Sequence, residues 1–424
     1  MDEASAFAAD GRRAGEERSI VRRGGLLALL LCLLMLGPAH ATPGDDHDEM
    51  VVDFPQPAAF YQNTTFTLDG DVGYVPSKGL AKLWSFSTET GDLLDHDGLD
   101  LPEPGTASNA YLFADDRLAI PGWFPDQGIL VADVSDPSDL TKIGVIDLPD
   151  DTNVQGQNVA VDDDGATGYV AGFPDDHLYS FNVSTLSLAD GDGLALPGNP
   201  DRIARAGDRL AMVDTANSRI MVADVSDPSD LALAGTIDLP GHNVLGSDDD
   251  IVFAGDGETA FVSTNERVLY SFDVAQLELA DPDGVSFGDQ GLGLDIAIHG
   301  DVVACLSSKG LSFIDVSDPS DMALMADADF GEVLIQGSAQ VAFSATGDAV
   351  AVPTISPDDL VYTFDVATGE QVAAPFPVSE SPNYLTVYQP RNQVGVMCTM
   401  GEQIHLIEDL LGTTAYLPLV ANRR

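Results

Sequence analysis

The chain is poor in positive charge, cysteine and long apolar runs. It has 18 lysines and arginines against 69 acidic residues, which gives a net charge of −51 at pH 7. Such a charge repels phosphate backbones and anionic lipid headgroups, so nucleic acid and anionic membranes are excluded as partners. The apolar run from Leu26 to Leu36 is too short to span a bilayer stably. We therefore expect no membrane span in the mature chain.

Residues 1–41 have the pattern of an export signal. Arg22 and Arg23 precede the apolar run, and Ala39 and Ala41 supply the small-x-small pattern of a cleavage site. We therefore predict a protein that is secreted, extracellular or held in the cell envelope. The paired arginines leave a twin-arginine route open as an alternative to the general secretory route, although two glycines stand where that signal has a bulky apolar residue.

One heptapeptide, Asp-Val-Ser-Asp-Pro-Ser-Asp, occurs three times, at residues 133–139, 224–230 and 315–321. Each copy follows a short apolar segment that is predicted to be a strand, and looser variants of that segment lie between and beside the copies. The ends of all these strands fall at positions 87, 133, 182, 224, 273, 315, 365 and 408, in steps of 42 to 50 residues. A period of this length is typical of one β-propeller blade. Long and short steps alternate, so the repeat is doubled and an even number of blades is expected.

Each period contains four short apolar segments separated by turn residues, and none is long enough for a helix. The sequence therefore predicts an all-β fold, a single β-propeller of four-stranded antiparallel blades. Eight blades are expected, with seven as the alternative. Met50 to Pro55 repeats the pattern of a fourth strand with no blade before it. We expect this segment to complete the last blade and close the ring, which also covers a sheet edge.

The domain boundaries follow from these signals. Residues 1–41 form the signal peptide, 42–49 an acidic linker, 50–412 the propeller and 413–424 a C-terminal tail. The tail is either a short signal of the kind found on some exported proteins or a redundant last strand. The blades are expected near residues 60–104, 105–150, 151–199, 200–242, 243–288, 289–331, 332–379 and 380–412 with 50–55.

The segment Leu311 to Ser320 reads Leu-Ser-Phe-Ile-Asp-Val-Ser-Asp-Pro-Ser. It resembles the LVIVD repeat, a family of propeller-type repeats in exported and surface proteins of microbes. The odd-numbered units are similar to the broader group of YVTN-type and WD-type propellers. The resemblance implies a propeller and an extracellular or envelope setting. It implies no activity, because the family has no shared catalytic residue set that could be carried over.

Acidic residues concentrate in the predicted turns. In a four-stranded meander the turns from strand 1 to 2 and from strand 3 to 4 share one face, so that face is expected to be rich in carboxylates. Odd blades repeat Asp-x-Asp-Gly, placed between strands 3 and 4. Clustered carboxylates suit Ca²⁺, but Asp-Gly is also a strong hairpin signal, and both interpretations stay open. The candidate metal ligands are Asp95, Asp97, Asp190, Asp192, Asp281 and Asp283.

The opposite face is the usual ligand side of propellers. Trp123 and Phe124 lie in the strand 2 to 3 loop of blade 2, and Phe173 and His177 lie at the matching loop of blade 3. Such aromatic side chains could stack on a sugar or a peptide side chain. The alternative is that they cap the core between two blades.

No nucleophile elbow, His-Glu-x-x-His helix or phosphate loop occurs. The sequence predicts a monomeric binding, adhesion or scaffold module for a protein or glycan at the cell exterior, with no catalytic residues and no cofactor besides the candidate Ca²⁺. The alternative is a lactonase-like hydrolase with a metal in the central channel, because such a site draws one residue from each blade and leaves no local motif.

Cys305 and Cys398 each lie ten residues before the end of a repeated strand, at matching places two blades apart. A disulfide needs Cα atoms within about 7 Å of each other. We therefore expect two separate buried thiols.

Overall fold

The molecule is built from β-strands and turns throughout its described part. No helix there is long and apolar enough to cross a membrane. A computed structural model describes residues 49–410 except 56–63, 68, 78, 103–108, 115, 123–127, 150–151, 153, 155–158, 164, 173–174, 241–249, 289–292, 331–334, 336–338, 355–358, 380–381, 389–392, 399–402 and 409.

The first four blades are antiparallel sheets whose strands pair in chain order. In blade 3 the fourth strand is split in two, and both parts pair with the third strand. After the N-terminal strand β1 (Glu49–Asp53), the strands are β2 (Thr65–Phe66), β3 (Val72–Ser77), β4 (Lys82–Ser87) and β5 (Leu99–Asp100) in blade 1; β6 (Tyr111–Phe113), β7 (Arg117–Pro121), β8 (Gly128–Asp133) and β9 (Thr141–Asp147) in blade 2; β10 (Val159–Val161), β11 (Thr167–Gly172), β12 (His177–Asn182), β13 (Ser187–Leu188) and β14 (Leu194–Ala195) in blade 3; and β15 (Pro200–Ala206), β16 (Arg209–Asp214), β17 (Arg219–Asp224) and β18 (Ala232–Asp238) in blade 4.

Blades 5 to 7 repeat this order, and blade 8 takes its fourth strand from the N-terminus. The strands are β19 (Ile251–Phe253), β20 (Thr259–Ser263), β21 (Val268–Asp273) and β22 (Glu278–Ser286) in blade 5; β23 (Gly293–His299), β24 (Val302–Ser307), β25 (Gly310–Asp315) and β26 (Ala323–Asp329) in blade 6; β27 (Ala342–Phe343), β28 (Ala349–Thr354), β29 (Leu360–Asp365) and β30 (Phe376–Pro377) in blade 7; and β31 (Pro382–Tyr388), β32 (Gln393–Cys398) and β33 (Gln403–Glu408), with β1, in blade 8.

The N-terminal strand closes the ring. Strand β1 pairs antiparallel with β33, with Val52 opposite Ile404. Side chains support the same seam, since Glu49 pairs with the ring of His405 at 2.5 Å and Gln403 donates to the Asp53 carboxylate at 2.6 Å. The predicted all-β propeller of eight blades, closed by an N-terminal strand, is thus confirmed.

The apolar core is divided into eight clusters, one at each interface between neighbouring blades. Successive side chains of a strand point to opposite faces of the sheet, so alternate residues pack into different interfaces. In β16, Leu210 and Met212 pack toward blade 3. Ala211 and Val213, on the other side of the same strand, pack toward blade 5. Both faces of the middle strands are therefore buried, which explains their nearly continuous apolar sequence.

Backbone hydrogen bonds place two kinds of turn side by side. The N–H of Val134, after strand 3 of blade 2, donates to the carbonyl of Asp116 in the turn from strand 1 to 2, at 2.8 Å. The same bond joins Val225 to Asp208 in blade 4, at 2.9 Å. We call the face that carries these two kinds of turn the acidic face. The face that carries the strand 2 to 3 loops and the connections between blades is called the opposite face.

Cys305 and Cys398 are both free and buried, which confirms the expected pair of separate thiols. Burial raises the pKa of the Cys398 thiol to about 12. Because the thiolate is the reactive form, this cysteine is a packing residue at neutral pH.

Closure of the ring by β1 predicts that substitutions at two adjacent valines of this strand have very different effects on stability. Val52 is fully buried between blades 8 and 1, whereas Val51 on the other side of the strand is 36% exposed. We expect Val52→Asp to lower the free energy of unfolding by about 3–5 kcal/mol, because it buries an unpaired charge. Val51→Asp should change it by less than about 1 kcal/mol. Urea unfolding followed by tryptophan fluorescence measures both, and equal losses would contradict closure by this strand.

Candidate functional site

The three Asp-x-Asp-Gly motifs do not lie in the turns between strands 3 and 4, where the sequence placed them. In blade 1, Phe86 pairs with Leu93 and Leu83 with Leu99, so residues 95–98 bulge out of the outer strand itself. The same interruption separates β13 from β14 in blade 3 and shifts the register of β22 in blade 5. A bulge adds residues without ending the strand, so a turn-forming sequence does not reveal that pairing resumes after it.

The first aspartate of each motif holds its own bulge together. In blade 1, Asp95 Oδ1 accepts hydrogen bonds from the N–H groups of Asp97 at 3.1 Å and Gly98 at 2.9 Å. Asp190 and Asp281 make the same pair of bonds in blades 3 and 5. Each bulge ends in a glycine with a positive φ of 60°, 65° or 61°, a conformation that favours glycine.

The other carboxylate oxygen reaches the next blade. Asp95 Oδ2 accepts from the N–H of Leu140 at 3.1 Å, and Asp190 Oδ2 accepts from Leu231 at 3.3 Å. Both leucines directly follow an Asp-Val-Ser-Asp-Pro-Ser-Asp copy. The bulge of an odd blade therefore binds the repeated turn of the even blade that follows.

A buried serine completes each of these contacts. Ser180 Oγ accepts from the N–H of Asp190 at 3.0 Å and donates to the carbonyl of Pro228 in the next blade at 2.5 Å. Matching bonds involve Ser85 with Pro137 and Ser271 with Pro319. We call this set of bonds the blade clamp. Among the described residues it joins blades 1 and 2, 3 and 4, and 5 and 6, which accounts for the alternating repeat length.

The repeated heptapeptide also stabilises itself locally. Asp136 Oδ1 accepts from both the N–H and the hydroxyl of Ser138, at 3.0 and 2.7 Å. Asp133 does the same with Ser135. Hydrogen bonds from these serines lower the pKa of both aspartates. The heptapeptide thus supplies turn chemistry, and its carboxylates are partly engaged before any ligand arrives.

The remaining candidate metal ligands, Asp97, Asp192 and Asp283, are exposed. Within the described ranges no group of three or more His, Cys, Asp or Glu side chains is placed to share a metal ion. The geometry gives Asp95, Asp190 and Asp281 a structural part in the blade clamp. Calcium binding by these motifs stays a prediction.

On the opposite face, His177 lies on a braced aromatic pair. Its ring stacks on Tyr179, with centroids 5.8 Å apart and planes at 16°. Asp175 Oδ2 accepts from the Tyr179 hydroxyl at 2.7 Å and from Thr152 Oγ1 at 2.6 Å. Burial, followed by this hydrogen bond, raises the pKa of Tyr179 to about 12. The other predicted residues, Trp123, Phe124, Phe173, Ala39 and Ala41, lie outside the described residues.

A second polar group, which the sequence did not indicate, lies where the innermost strands begin. Its members come from four blades, and each stands at or just before a first strand. Because first strands start at the opposite face, these residues surround the channel mouth there. We call them the channel-mouth cluster, which consists of Asn109, Tyr111, Arg202, Asp250 and Asp295.

Arg202 joins the two sides of this cluster. Its positive charge acts on Tyr111 of blade 2 and on Asp295 of blade 6, two blades that lie across the ring from one another. The register of the inner strand is interrupted between Pro200 and Ile203 in blade 4 and between Gly293 and Asp295 in blade 6. Such bulges re-aim side chains next to functional sites. They explain why a period-2 pattern does not identify these positions.

The carboxyl groups of Asp295 and Asp250 are neighbours, and their interaction helps to raise the pKa of Asp295. Asp295 Oδ2 also accepts from the N–H of Val341 at 2.7 Å, and Asp250 Oδ1 from that of Ile251 at 2.8 Å. Two carboxyl groups can bond to each other only if one carries a proton. Burial, and then the neighbouring Asp250 charge, raise the pKa of Asp295 well above its ordinary range. The raised pKa favours the protonated form of Asp295.

The blade clamp predicts different outcomes for two aspartates of one motif. Asp190→Ala should lower the free energy of unfolding by about 1–3 kcal/mol, because three N–H groups, two of them partly buried, lose a charged acceptor. Asp192→Ala, at the exposed second position, should change it by less than about 0.5 kcal/mol. Urea unfolding measured in EDTA and in calcium distinguishes a structural role in the blade clamp from calcium binding. A loss at both positions that appears only with calcium would favour a metal site instead.

We expect the raised pKa of Asp295 to make the stability of the fold depend on pH. A carboxyl with a raised pKa contributes stability that is full below the ordinary pKa of 3.8 and is lost as pH rises through the raised value. Asp295→Asn keeps a donor and an acceptor but has no proton to lose. We expect its melting temperature to match wild type at pH 4 and exceed it at pH 9, with about 1.4 kcal/mol for each unit of raised pKa. A difference that is the same at both pH values would contradict the raised pKa of Asp295.

Comparisons with known proteins agree with this geometry. A family model for the LVIVD repeat matches residues 203–238 and 291–329, which lie in blades 4 and 6. A search of curated proteins finds no match.

Three solved structures show the same kind of fold at low sequence identity. The computationally designed Ika8 protein is 13% identical, with a TM-score of 0.60 over 82% of this chain and 96% of its own. A functionally unknown protein from Desulfotomaculum acetoxidans DSM 771 is 14% identical, with a TM-score of 0.54 over 73% of this chain and 100% of its own. A chain of the mitotic checkpoint complex is 13% identical, with a TM-score of 0.52 over 71% and 86%. At these identities the likeness concerns the fold alone. The chain is thus an eight-bladed β-propeller that contains LVIVD repeats.

Proposed function

We propose that this propeller is a non-catalytic binding, adhesion or scaffold module that holds a protein or glycan partner on its opposite face. The observation that supports this most directly is the braced ring of His177. Its side chain is 31% exposed, so it reaches solvent while Tyr179 supports it from one side. A ring held in one orientation loses little conformational freedom when a ligand stacks on it, which favours binding.

The surroundings of His177 suit a polar partner. Its Nδ1 lies 2.5 Å from the carbonyl oxygen of Asp175, a contact that requires a proton on that nitrogen. The other ring nitrogen is then an acceptor in the neutral form. An aromatic face beside a hydrogen-bond acceptor matches the alternation of C–H and O–H groups on a sugar, as well as a peptide side chain.

Export is the second part of the proposal. The leader pattern at residues 1–41 and the resemblance to repeats of exported proteins support a location outside the cell or in its envelope. A strongly anionic surface is consistent with a soluble single copy, since like charges keep molecules apart. Calcium on the acidic face would act within the same proposal, as a counter-ion to clustered carboxylates.

The test compares two histidines. The purified chain is applied to a glycan array and to a panel of immobilised extracellular proteins, and the affinity of each positive is measured by biolayer interferometry. We expect at least one specific ligand, and His177→Ala should weaken it at least about tenfold, a loss of about 1.4 kcal/mol.

His96→Ala is the matched control, because His96 is exposed in the bulge of blade 1, away from the opposite face. It should bind within twofold of wild type. The proposal fails if the wild-type chain binds nothing on either panel, or if both variants retain full affinity.

A further inference from the structure

A cleft of about 570 Å³ opens on the acidic face between blades 5 and 6. It lies between the strand 1 to 2 turns of these two blades and beside the heptapeptide of blade 6. Among the described residues that line it, none is a lysine or an arginine. The lining combines apolar side chains, carboxylates and a backbone carbonyl, and it includes Phe253, Asp256, Phe261, Ile298, Asp301 and Val316.

The interface between blades 3 and 4 shows what the chain itself places at the equivalent position. Arg205 extends there from the inner strand of blade 4, with a side chain that is only 11% exposed. Its guanidinium carbon lies 5.8 Å from the centre of the Tyr169 ring, and its Nη1 lies 3.4 Å from the Asp163 carboxylate of blade 3. The Tyr169 hydroxyl donates to the carbonyl of Val225 in the heptapeptide, at 3.3 Å. An internal cation and a hydroxyl donor therefore close this interface.

Strand register identifies the matching residues between blades 5 and 6. Arg205 and Ile298 each stand three residues before the aspartate whose carbonyl accepts from the second valine of an even blade's repeat, as Asp208 and Asp301 do. Tyr169 and Phe261 each stand opposite a serine of the blade clamp. Isoleucine thus replaces the arginine, and phenylalanine replaces the tyrosine, between blades 5 and 6.

Both replacements remove a polar partner. Ile298 packs on Phe261 in the core and brings no positive charge to the turns beside it, whereas Arg205 brings one to Asp163. Phe261 has no hydroxyl, so it cannot donate to the carbonyl of Val316 as Tyr169 does to that of Val225. The cleft therefore offers space, negative charge and an acceptor where the preceding pair of blades holds a guanidinium.

The carboxylate of Asp256 has a fixed orientation at the rim of the cleft. Its Oδ1 accepts from the N–H groups of Glu258 and Thr259, both at 2.9 Å, and its Oδ2 accepts from the Thr259 hydroxyl at 2.9 Å. A carboxylate has about four acceptor positions, so room for a ligand donor is left. Because the group is already oriented, little reorganisation opposes binding.

A guanidinium group meets the requirements of this lining. Its planar fork of N–H donors can reach carboxylate and carbonyl oxygens at the same time, and its weak hydration lowers the cost of contact with apolar walls. Those walls include the half-buried ring of Phe253 and the ring of His299, which is held 5.8 Å from Phe343 between centroids. A flat cation or its alkyl stem can lie against such rings.

We propose that the cleft between blades 5 and 6 binds the guanidinium group of an external ligand, which is either a small molecule or an arginine side chain of a basic partner. Its donors lie on the carboxylates of Asp256 and Asp301 and on the carbonyl of Val316. The cleft is on the acidic face, so the proposal stands if the His177 ring on the opposite face binds no partner.

Isothermal titration calorimetry of the purified chain tests this, at an ionic strength of about 0.15 M to screen non-specific attraction. The probes are agmatine, a blocked glycine pentapeptide with one central arginine, and the same peptide with citrulline, which has nearly the same shape but no charge. At least one guanidinium probe should bind, and the citrulline peptide should bind at least about tenfold more weakly. Tighter binding of agmatine identifies a small molecule as the source, and tighter binding of the arginine peptide identifies a partner protein; both results support the site.

Two variants locate the binding. Ile298→Arg restores the internal cation of blade 4 and should abolish binding of the guanidinium probe. Asp301→Asn removes one exposed carboxylate of the cleft and should weaken binding at least about threefold. Asp208→Asn is the matched control, because Asp208 is exposed at the same turn position in blade 4. It makes the same change of charge and should keep the affinity within about twofold of wild type.

Asp301→Asn keeps the proposal testable if Ile298→Arg fails to fold, because its side chain is exposed. The proposal is overturned if neither guanidinium probe binds or if the citrulline peptide binds as tightly as the arginine peptide. It is also overturned if Asp301→Asn binds like wild type, or if Asp208→Asn weakens binding as much as Asp301→Asn does.

Discussion

Every blade of this protein is a thin sheet whose middle strands are apolar on both sides, and only another blade can cover those sides. This constraint requires a ring, because an open stack would leave the first and last sheets exposed to water. The clusters at the eight interfaces therefore form the core of the described part of the chain. Strand β1 is what makes the last interface possible, since Val52 packs together with Ile404 and Trp84 at the seam.

Polar contacts fix how neighbouring blades are positioned relative to each other. Hydrophobic contact alone would allow neighbouring blades to slide, because it has little geometric preference. The blade clamp fixes the distance and angle between paired blades through partly buried hydrogen bonds: Ser180 Oγ donates to the Pro228 carbonyl, and Asp190 Oδ2 accepts from the N–H of Leu231. The cost of leaving such groups unpaired enforces the register. Odd and even blades differ for this reason, and the repeated heptapeptide is half of a contact whose other half lies 41 to 52 residues away.

The candidate functional groups lie at strand ends and in loops, where the sheet leaves the backbone free to vary. The braced ring of His177 stands at the end of a strand 2 to 3 loop, and the carboxyl pair stands where inner strands begin.

The sequence by itself determined the repeat, the strand order within a blade and the closing strand, with eight blades expected and seven as the alternative, because period-2 patterns and turn residues are local properties. It also indicated the two free cysteines and the turn chemistry of the heptapeptide. Only the tertiary structure decided that Asp95 and its two equivalents lie in bulges, and that Asp95 and Asp190 bind the next blade. Closure of the ring likewise brought Arg202, Asp250 and Asp295 together, since residues about 45 positions apart become neighbours only when the blades meet around one axis. A pattern read along the chain has no information about such distances.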